Sequence, residues 1–251
     1  STPSRLTRIT LASITLTLTL ASLPAQNYQI LHHFGPSVTH GSDPRGQVLE
    51  AGDGKLYGVT RRGGSGNFGL VYRVDSDGSA YTVLHQFPAV ASGIYPRGGL
   101  LDGPGGFLYG TTEQGGTNNA GVAYRLSRDG TGFQVIRHFG GDSDAPSFPL
   151  GGLILGSDGR IYGTTFSGGL ATFGRAGTVY RMQPDGSGLE LLTSFGNNSL
   201  DGANPNGPLS WGSDGRLYGV LKHRGLHVAS GGQGALFSIP TNGTGVQLIH
   251  N

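Results

Sequence analysis

The chain has 251 residues, with 48 Gly, 13 Pro, no Cys and a charged fraction of only 13%. The glycines follow no Gly-X-Y register, which excludes collagen, and the lack of Cys excludes disulfides, thiolate metal sites and a Cys nucleophile. Arg5 and Arg8 account for the formal charge of +2; the other 15 basic and 15 acidic residues balance and give no case for nucleic acid.

Residues 1–25 read as a signal peptide. Arg5 and Arg8 precede the apolar stretch Ile9–Leu20, Pro24 breaks any helix, and Ala25 is a small residue before a cut at Gln26. Export to the cell surface or medium follows. The competing reading is a surface strand, because Ile14, Leu16, Leu18 and Leu20 alternate with Thr. A lipoprotein is disfavoured, since no Cys is available to acylate. No later stretch is apolar enough for a transmembrane helix.

The rest is repetitive. Leu/Ile-Tyr-Gly occurs at Tyr57, Tyr109, Tyr162 and Tyr218, at spacings of 52, 53 and 56, and Phe34, Phe87, Phe139 and Phe195 recur at 53, 52 and 56. The repeats run approximately 28–80, 81–132, 133–188 and 189–245, with a partial fifth at 246–251. Each holds four short pieces rich in strand formers and bounded by Gly or Pro; in the first they are Tyr28–Phe34, Gln47–Ala51, Lys55–Thr60 and Leu70–Asp75. Asp53-Gly54, Asp158-Gly159 and Asp214-Gly215 read as two-residue hairpin turns with positive φ. A second turn carries Asp77-Gly78, Asp129-Gly130, Asp185-Gly186 and Asn242-Gly243. Alternation places Tyr81, Val83, His85 and Phe87 on one strand face and Thr82, Leu84 and Gln86 on the other.

A four-strand meander of this size must stack on its neighbours to bury its faces. The fold class expected is all-β, a β-propeller of about four four-stranded blades forming one domain over 26–251. Each blade starts at a repeat's second strand and borrows the next repeat's first. Tyr28–Phe34 is then surplus, so a closed ring and an open or truncated fragment of a larger propeller both stay open.

Repeat two reads Pro96-Arg-Gly-Gly-Leu100, Leu108-Tyr-Gly-Thr-Thr112, Gly115-Gly116 and Gly121-Val-Ala-Tyr-Arg-Leu126; repeat three repeats most of this order. These motifs resemble the GloVer tandem repeat of bacterial choice-of-anchor proteins, over residues 28–250. The resemblance implies secretion and surface display, and no known catalytic residues. Repeat four departs most, with Val220-Leu221 for Thr-Thr, Arg224-Gly225 for Gly-Gly and Ser238 for Arg.

Most chemical candidates have a duller structural reading. His32 and His85 are equivalent, as are His33 and His138, but repeat four has Thr193 and Ser194 there, which favours local packing over an imidazole ring. His223 and His227 have zinc spacing only on a helix, and Gly225 argues against one. Asp75 with Asp77, and Asp142 with Asp144, suit turns better than calcium. Arg73, Arg125 and Arg181 recur after Tyr and suggest packing over a ring beside a carboxylate. No phosphate loop or nucleophile elbow is present. The loops between third and fourth strands vary in length, and binding residues sit in such loops. They supply the binding candidates Arg61, Arg62, Phe68, Phe166, Phe173, Arg175, His223, Arg224 and His227. The function expected is a non-enzymatic surface or extracellular binding and scaffolding module, with glycan or protein as partner and no cofactor or metal. The alternative is a polysaccharide lyase or hydrolase on a propeller scaffold.

Overall fold

The computed structural model describes residues 28–35, 39–170, 175–196, 202–223 and 234–250. The signal-peptide reading of 1–25 therefore lies outside the described residues. Residues 31–251 form one compact unit, distinct from residues 1–30, and only this unit is described below.

Four antiparallel sheets follow one another along the chain. Blade 1 contains β1 (Leu49–Glu50), β2 (Leu56–Thr60), β3 (Leu70–Val74) and β4 (Thr82–Gln86). Blade 2 contains β5 (Ile94–Pro96), β6 (Leu101–Asp102), β7 (Phe107–Gln114), β8 (Val122–Ser127) and β9 (Gln134–His138). Blade 3 contains β10 (Ile154–Leu155), β11 (Ile161–Thr165), β12 (Thr178–Met182) and β13 (Glu190–Ser194). Blade 4 contains β14 (Ala203–Pro205), β15 (Ser210–Trp211), β16 (Leu217–His223), β17 (Ala235–Ile239) and β18 (Gln247–His250). The outer strand of each blade is the first piece of the next repeat, as the sequence predicts. Among the described residues there is no α-helix, only 3₁₀ turns at Val90–Ser92 and Pro104–Gly106.

The Leu/Ile-Tyr-Gly motif has two separate jobs. Its Gly stands opposite an aromatic ring on the next strand: Gly163 pairs with Tyr180, and Gly219 with Phe237. A Cβ at Gly163 would lie 2.5 Å from the Tyr180 hydroxyl, so only Gly admits the ring. Its Tyr anchors the hairpin turn. Tyr57 donates to Asp53 at 2.7 Å, Tyr162 to Asp158 at 2.9 Å and Tyr218 to Asp214 at 2.8 Å. Repeat two lacks the turn Asp, and Tyr109 donates instead to the Pro104 carbonyl at 3.2 Å. Burial and then the Asp53 contact push the Tyr57 hydroxyl up to about 12.

Three sequence expectations change. The Asp-Gly turns are not two-residue hairpins: Gly54 N donates to Ala51 O and Ala51 N to Lys55 O, with positive φ at Gly54 and not at Asp53. That is a three-residue loop closing on a left-handed Gly, and one Gly suffices. The strand Tyr28–Phe34 does not form; described residues 28–35 carry no strand.

The strand-face alternation also breaks. Val71 pairs with His85 but Tyr72 with Val83, so Leu84 is an extra, bulged residue. Tyr81 and Val83 consequently face one way, and His85 and Phe87 the other. His85 stacks on Phe133 of blade 2 at 3.7 Å, whereas Tyr81 lies against Phe34 and Tyr72. The register shifts at the same place in every blade, bulging Ile136, Leu192 and Ile249. Each bulge serves the next blade. A Cβ at Gly130 would lie 2.6 Å from the Leu84 carbonyl oxygen, and Gly243 meets Leu192 in the same way, so the outer Asp/Asn-Gly turn seats on the preceding bulge. At blade 1 the equivalent Gly78 meets Leu31. Residues 31–34 thus take the place of a preceding blade's outer strand, with His32 stacked on Tyr81 at 3.8 Å and Phe34 against Tyr72 at 5.1 Å.

Buried apolar clusters join blade 1 to 2, 2 to 3 and 3 to 4. The Thr-Thr motif joins blades as well: Thr111 Oγ1 donates to Gly151 O at 3.1 Å, and Thr164 Oγ1 to Gly207 O at 3.2 Å. Among the described residues no such cluster joins blade 4 to blade 1. On the far side of blade 4, Val220 is 48% exposed.

Candidate functional site

The inner segments of all four blades converge on a cavity of about 620 Å³, walled by the Pro-x-Gly stretches around Arg45, Arg97, Leu150 and Asn206. Beside it a second recess of about 330 Å³ is lined by Arg97, Glu113, Phe148, Leu150, Phe166, Asn206 and Lys222. We term this end of the array the mouth.

Three positions per blade build the mouth. The first precedes the inner Pro: Asp43, Tyr95, Phe148 and Asn204, each at positive φ between 59° and 63°. A bulky residue in that region before Pro is strained and persists only where neighbours fix it. Here the preceding blade fixes it. Tyr95 N donates to Phe68 O at 2.8 Å, and Phe148 N to Ala120 O at 2.8 Å. The second position follows that Pro: Arg45, Arg97, Leu150 and Asn206. The third follows Thr-Thr or its counterparts Val59-Thr60 and Val220-Leu221: Arg61, Glu113, Phe166 and Lys222. Its backbone N–H bonds back to the first, as Arg61 N does to Asp43 O at 3.0 Å and Phe166 N to Phe148 O at 2.9 Å.

These positions differ in chemistry from blade to blade, while the stacking positions repeat. Blade 3 contributes only apolar side chains, Phe148, Leu150 and Phe166, all partly exposed. Blades 1 and 2 contribute a half-buried ion pair, Arg61 Nε to Glu113 Oε2 at 3.1 Å, with the side chains 19% and 17% exposed. The Arg61 guanidinium also lies 4.7 Å from the centre of the Tyr95 ring. Arg97 donates to Asn206 Oδ1 at 3.3 Å, and Lys222 Nζ stands 5.7 Å from the Phe166 ring centre.

The structure divides the sequence candidates. Arg61 and Phe166 stand at the mouth. Arg62 and Phe68 flank it through Tyr95, at 5.6 Å and 6.2 Å between group centres. Arg175 is exposed, and His223 ends β16 opposite Ala203 rather than on a helix. Phe173, Arg224 and His227 lie outside the described residues, so the His223–His227 zinc reading does too. Sequence reasoning missed Tyr95, Arg97, Glu113, Phe148, Leu150, Asn206 and Lys222. The signal was present in the aligned repeats, because these positions vary inside otherwise constant motifs.

The other candidates fill structural roles. Asp77 Oδ1 accepts from the Ser79 backbone N–H and hydroxyl, and Asp129 and Asp185 do the same with Thr131 and Ser187. Arg125 lies over Phe107 at 4.8 Å, and Arg181 bonds Glu190 at 2.9 Å. His138 Nδ1 accepts from Thr117 N at 3.2 Å, pinning the loop that Gln86 pins in blade 1 through Ser65. Burial pushes the His85 imidazole down to about 4. Among the described residues no group of three or more His, Asp or Glu is placed to hold a metal ion, and no helix is long and apolar enough to cross a membrane.

Fold and repeats together define a β-propeller-type protein. Its likeness to solved structures fits: it aligns with a chain of a nidogen/laminin complex at TM-score 0.58 and 16% identity, covering 85% of this chain and 66% of that one. A protein of unknown function from Dyadobacter fermentans aligns at 0.55 and 12% identity, covering 86% and 69%. The extracellular domain of a one-component system of B. thetaiotaomicron aligns at 0.54 and 13%, where this chain spans 23% of the other. At such identities the likeness speaks for the fold alone. The family profile of the Gloeobacter/Verrucomicrobia repeat matches residues 15–174 and again 101–251, and the chain belongs to that family. No curated protein matches the sequence significantly.

Proposed function

We propose that the chain is an exported, non-enzymatic binding and scaffolding module whose ligand face is the mouth. One observation carries this reading: the four blades repeat where they touch each other and diverge at the mouth positions, as in Arg45, Arg97, Leu150 and Asn206 among the otherwise repeated Gly and Leu of the cavity wall. A scaffold that only stacked would gain nothing from divergence there, and ligand sites favour concave surfaces with a few convergent polar groups. Repeated polar groups such as Tyr162 and Thr164 are meanwhile engaged in structural bonds, to Asp158 and Gly207. Residues 1–25 support export; fused to a reporter, they should direct its release with cleavage after Ala25.

The binding half is tested by passing defined envelope polysaccharides and surface proteins over immobilised protein. The wild type should retain a ligand that a mouth variant, Phe166→Ala with Lys222→Gln, releases, and the ligand should be recovered chemically unchanged. Recovery of shortened or unsaturated saccharide would support the lyase or hydrolase alternative instead.

A further inference from the structure

We propose that the mouth takes an acidic saccharide, with a uronate ring laid on the blade 3 wall and its carboxylate held by Arg97 and Lys222. The inference rests on the binding role above and gives it a ligand class.

Charge is the first argument. The Arg61 guanidinium is neutralised by Glu113. Arg97 and Lys222 line the same recess, and among the described residues neither forms an ion pair with a carboxylate. Glu113 lines the recess too, but its carboxylate is engaged by Arg61, so the two cations without a carboxylate partner leave the concavity net positive and draw an anion. They equally repel a metal cation.

Shape is the second. Phe148, Leu150 and Phe166 supply the apolar part of the lining of the recess, and Lys222 Nζ stands 5.7 Å from the Phe166 ring centre. The strained backbone of Phe148 is fixed at both its N–H and its carbonyl, so that part of the wall is set before any ligand arrives. A ligand suited to this site has one flat apolar face and one anionic edge. A uronate ring has both: its C–H face packs on an aromatic ring, its carboxylate takes a guanidinium or ammonium, and its hydroxyls suit Asn206 and Arg97. The recess, at about 330 Å³, is at the small end of ligand pockets, which fits a single sugar ring better than a folded partner. A nucleic acid would need a continuous basic stripe, which the balanced charge of the chain does not supply.

The experiment is calorimetric titration with trigalacturonate, its methyl ester and a Glu-rich peptide of equal charge. The proteins are the wild type, Arg97→Gln with Lys222→Gln, Phe166→Ala, and Arg160→Gln, which alters an ion pair away from the mouth. Trigalacturonate should bind the wild type and Arg160→Gln alike. It should bind the double variant at least tenfold more weakly and Phe166→Ala several-fold more weakly, and the methyl ester should lose at least tenfold on the wild type. Thermal melting confirms that each variant is folded. Equal affinity for the ester, an unchanged double variant, equal or tighter binding of the peptide, or no binding of any probe would overturn the proposal. A different ligand released by the same double variant would leave the binding role standing; cleaved trigalacturonate would remove that role too.

Discussion

The far face of blade 3 and the far face of blade 4 carry equivalent residues and meet opposite fates. On blade 3, Tyr162 and Thr164 are 1% and 2% exposed, covered by blade 4. On blade 4, Tyr218 is only partly buried and Val220 is 48% exposed. Ile249, the bulged residue that should seat a following turn, is 49% exposed, whereas its equivalent Leu192 is 7% exposed beneath Gly243. The same motif is thus a core element in one blade and a surface in the next. The neighbour, not the motif, decides its energetic value. The near face of blade 1 is a third case: residues 31–34 cover it with an outer-strand imitation instead of a whole blade.

The sharpest break in the comparison is Tyr162→Ala against Tyr218→Ala. The first removes a fully buried ring between blades and should cost about 3–5 kcal/mol, the second about 1 kcal/mol, by urea unfolding. Phe34→Ala should cost about 2 kcal/mol, because it strips a partly buried ring from Tyr72 and uncovers blade 1. Thr164→Val leaves the Gly207 carbonyl without its donor and should cost about 1–1.5 kcal/mol; Val220→Thr, at a position that is 48% exposed, should stay within about 0.5 kcal/mol.

The smallest effect is a pH dependence at the blade 1–2 contact. An unfolded imidazole titrates near about 6.5, while His85 is held down to about 4. The unfolded chain therefore takes up the proton first. His85 places no penalty on the fold above about 6.5, and stability falls as the pH drops from there toward 4. His85→Phe keeps the ring over Phe133 and should remove about 1 kcal/mol of that acid loss, allowing for the partial exposure of the site. Unfolding midpoints at pH 7 and pH 4.5 would measure it.

Much of this was legible in the sequence because it repeats. Tyr spacing gave the blade period, and the offset between strand and repeat boundaries gave the borrowed outer strand. The bulge at Leu84 was not legible: an extra residue inside an alternating strand changes which faces match without changing composition. Nor was the single-Gly turn, because Asp-Gly is compatible with both loop lengths. The mouth was half legible. Loop length pointed to Arg61 and Phe166, but Glu113 and Lys222 sit at strand ends, and Arg97, Leu150 and Asn206 inside a motif whose Pro and Gly drew attention away from the variable residue between them.

One repeated face is sealed wherever a blade covers it and exposed on blade 4. The chain contains no Cys, so single thiols report accessibility cleanly. Val59→Cys, Thr164→Cys and Val220→Cys should be compared for rate of modification by a thiol reagent under native conditions. Val220→Cys should react near the rate of a free thiol, and the other two at least about a thousandfold more slowly, through opening of the stack. Protection of Val220→Cys equal to that of Thr164→Cys would contradict it, and would mean that blade 4 is covered as its predecessors are.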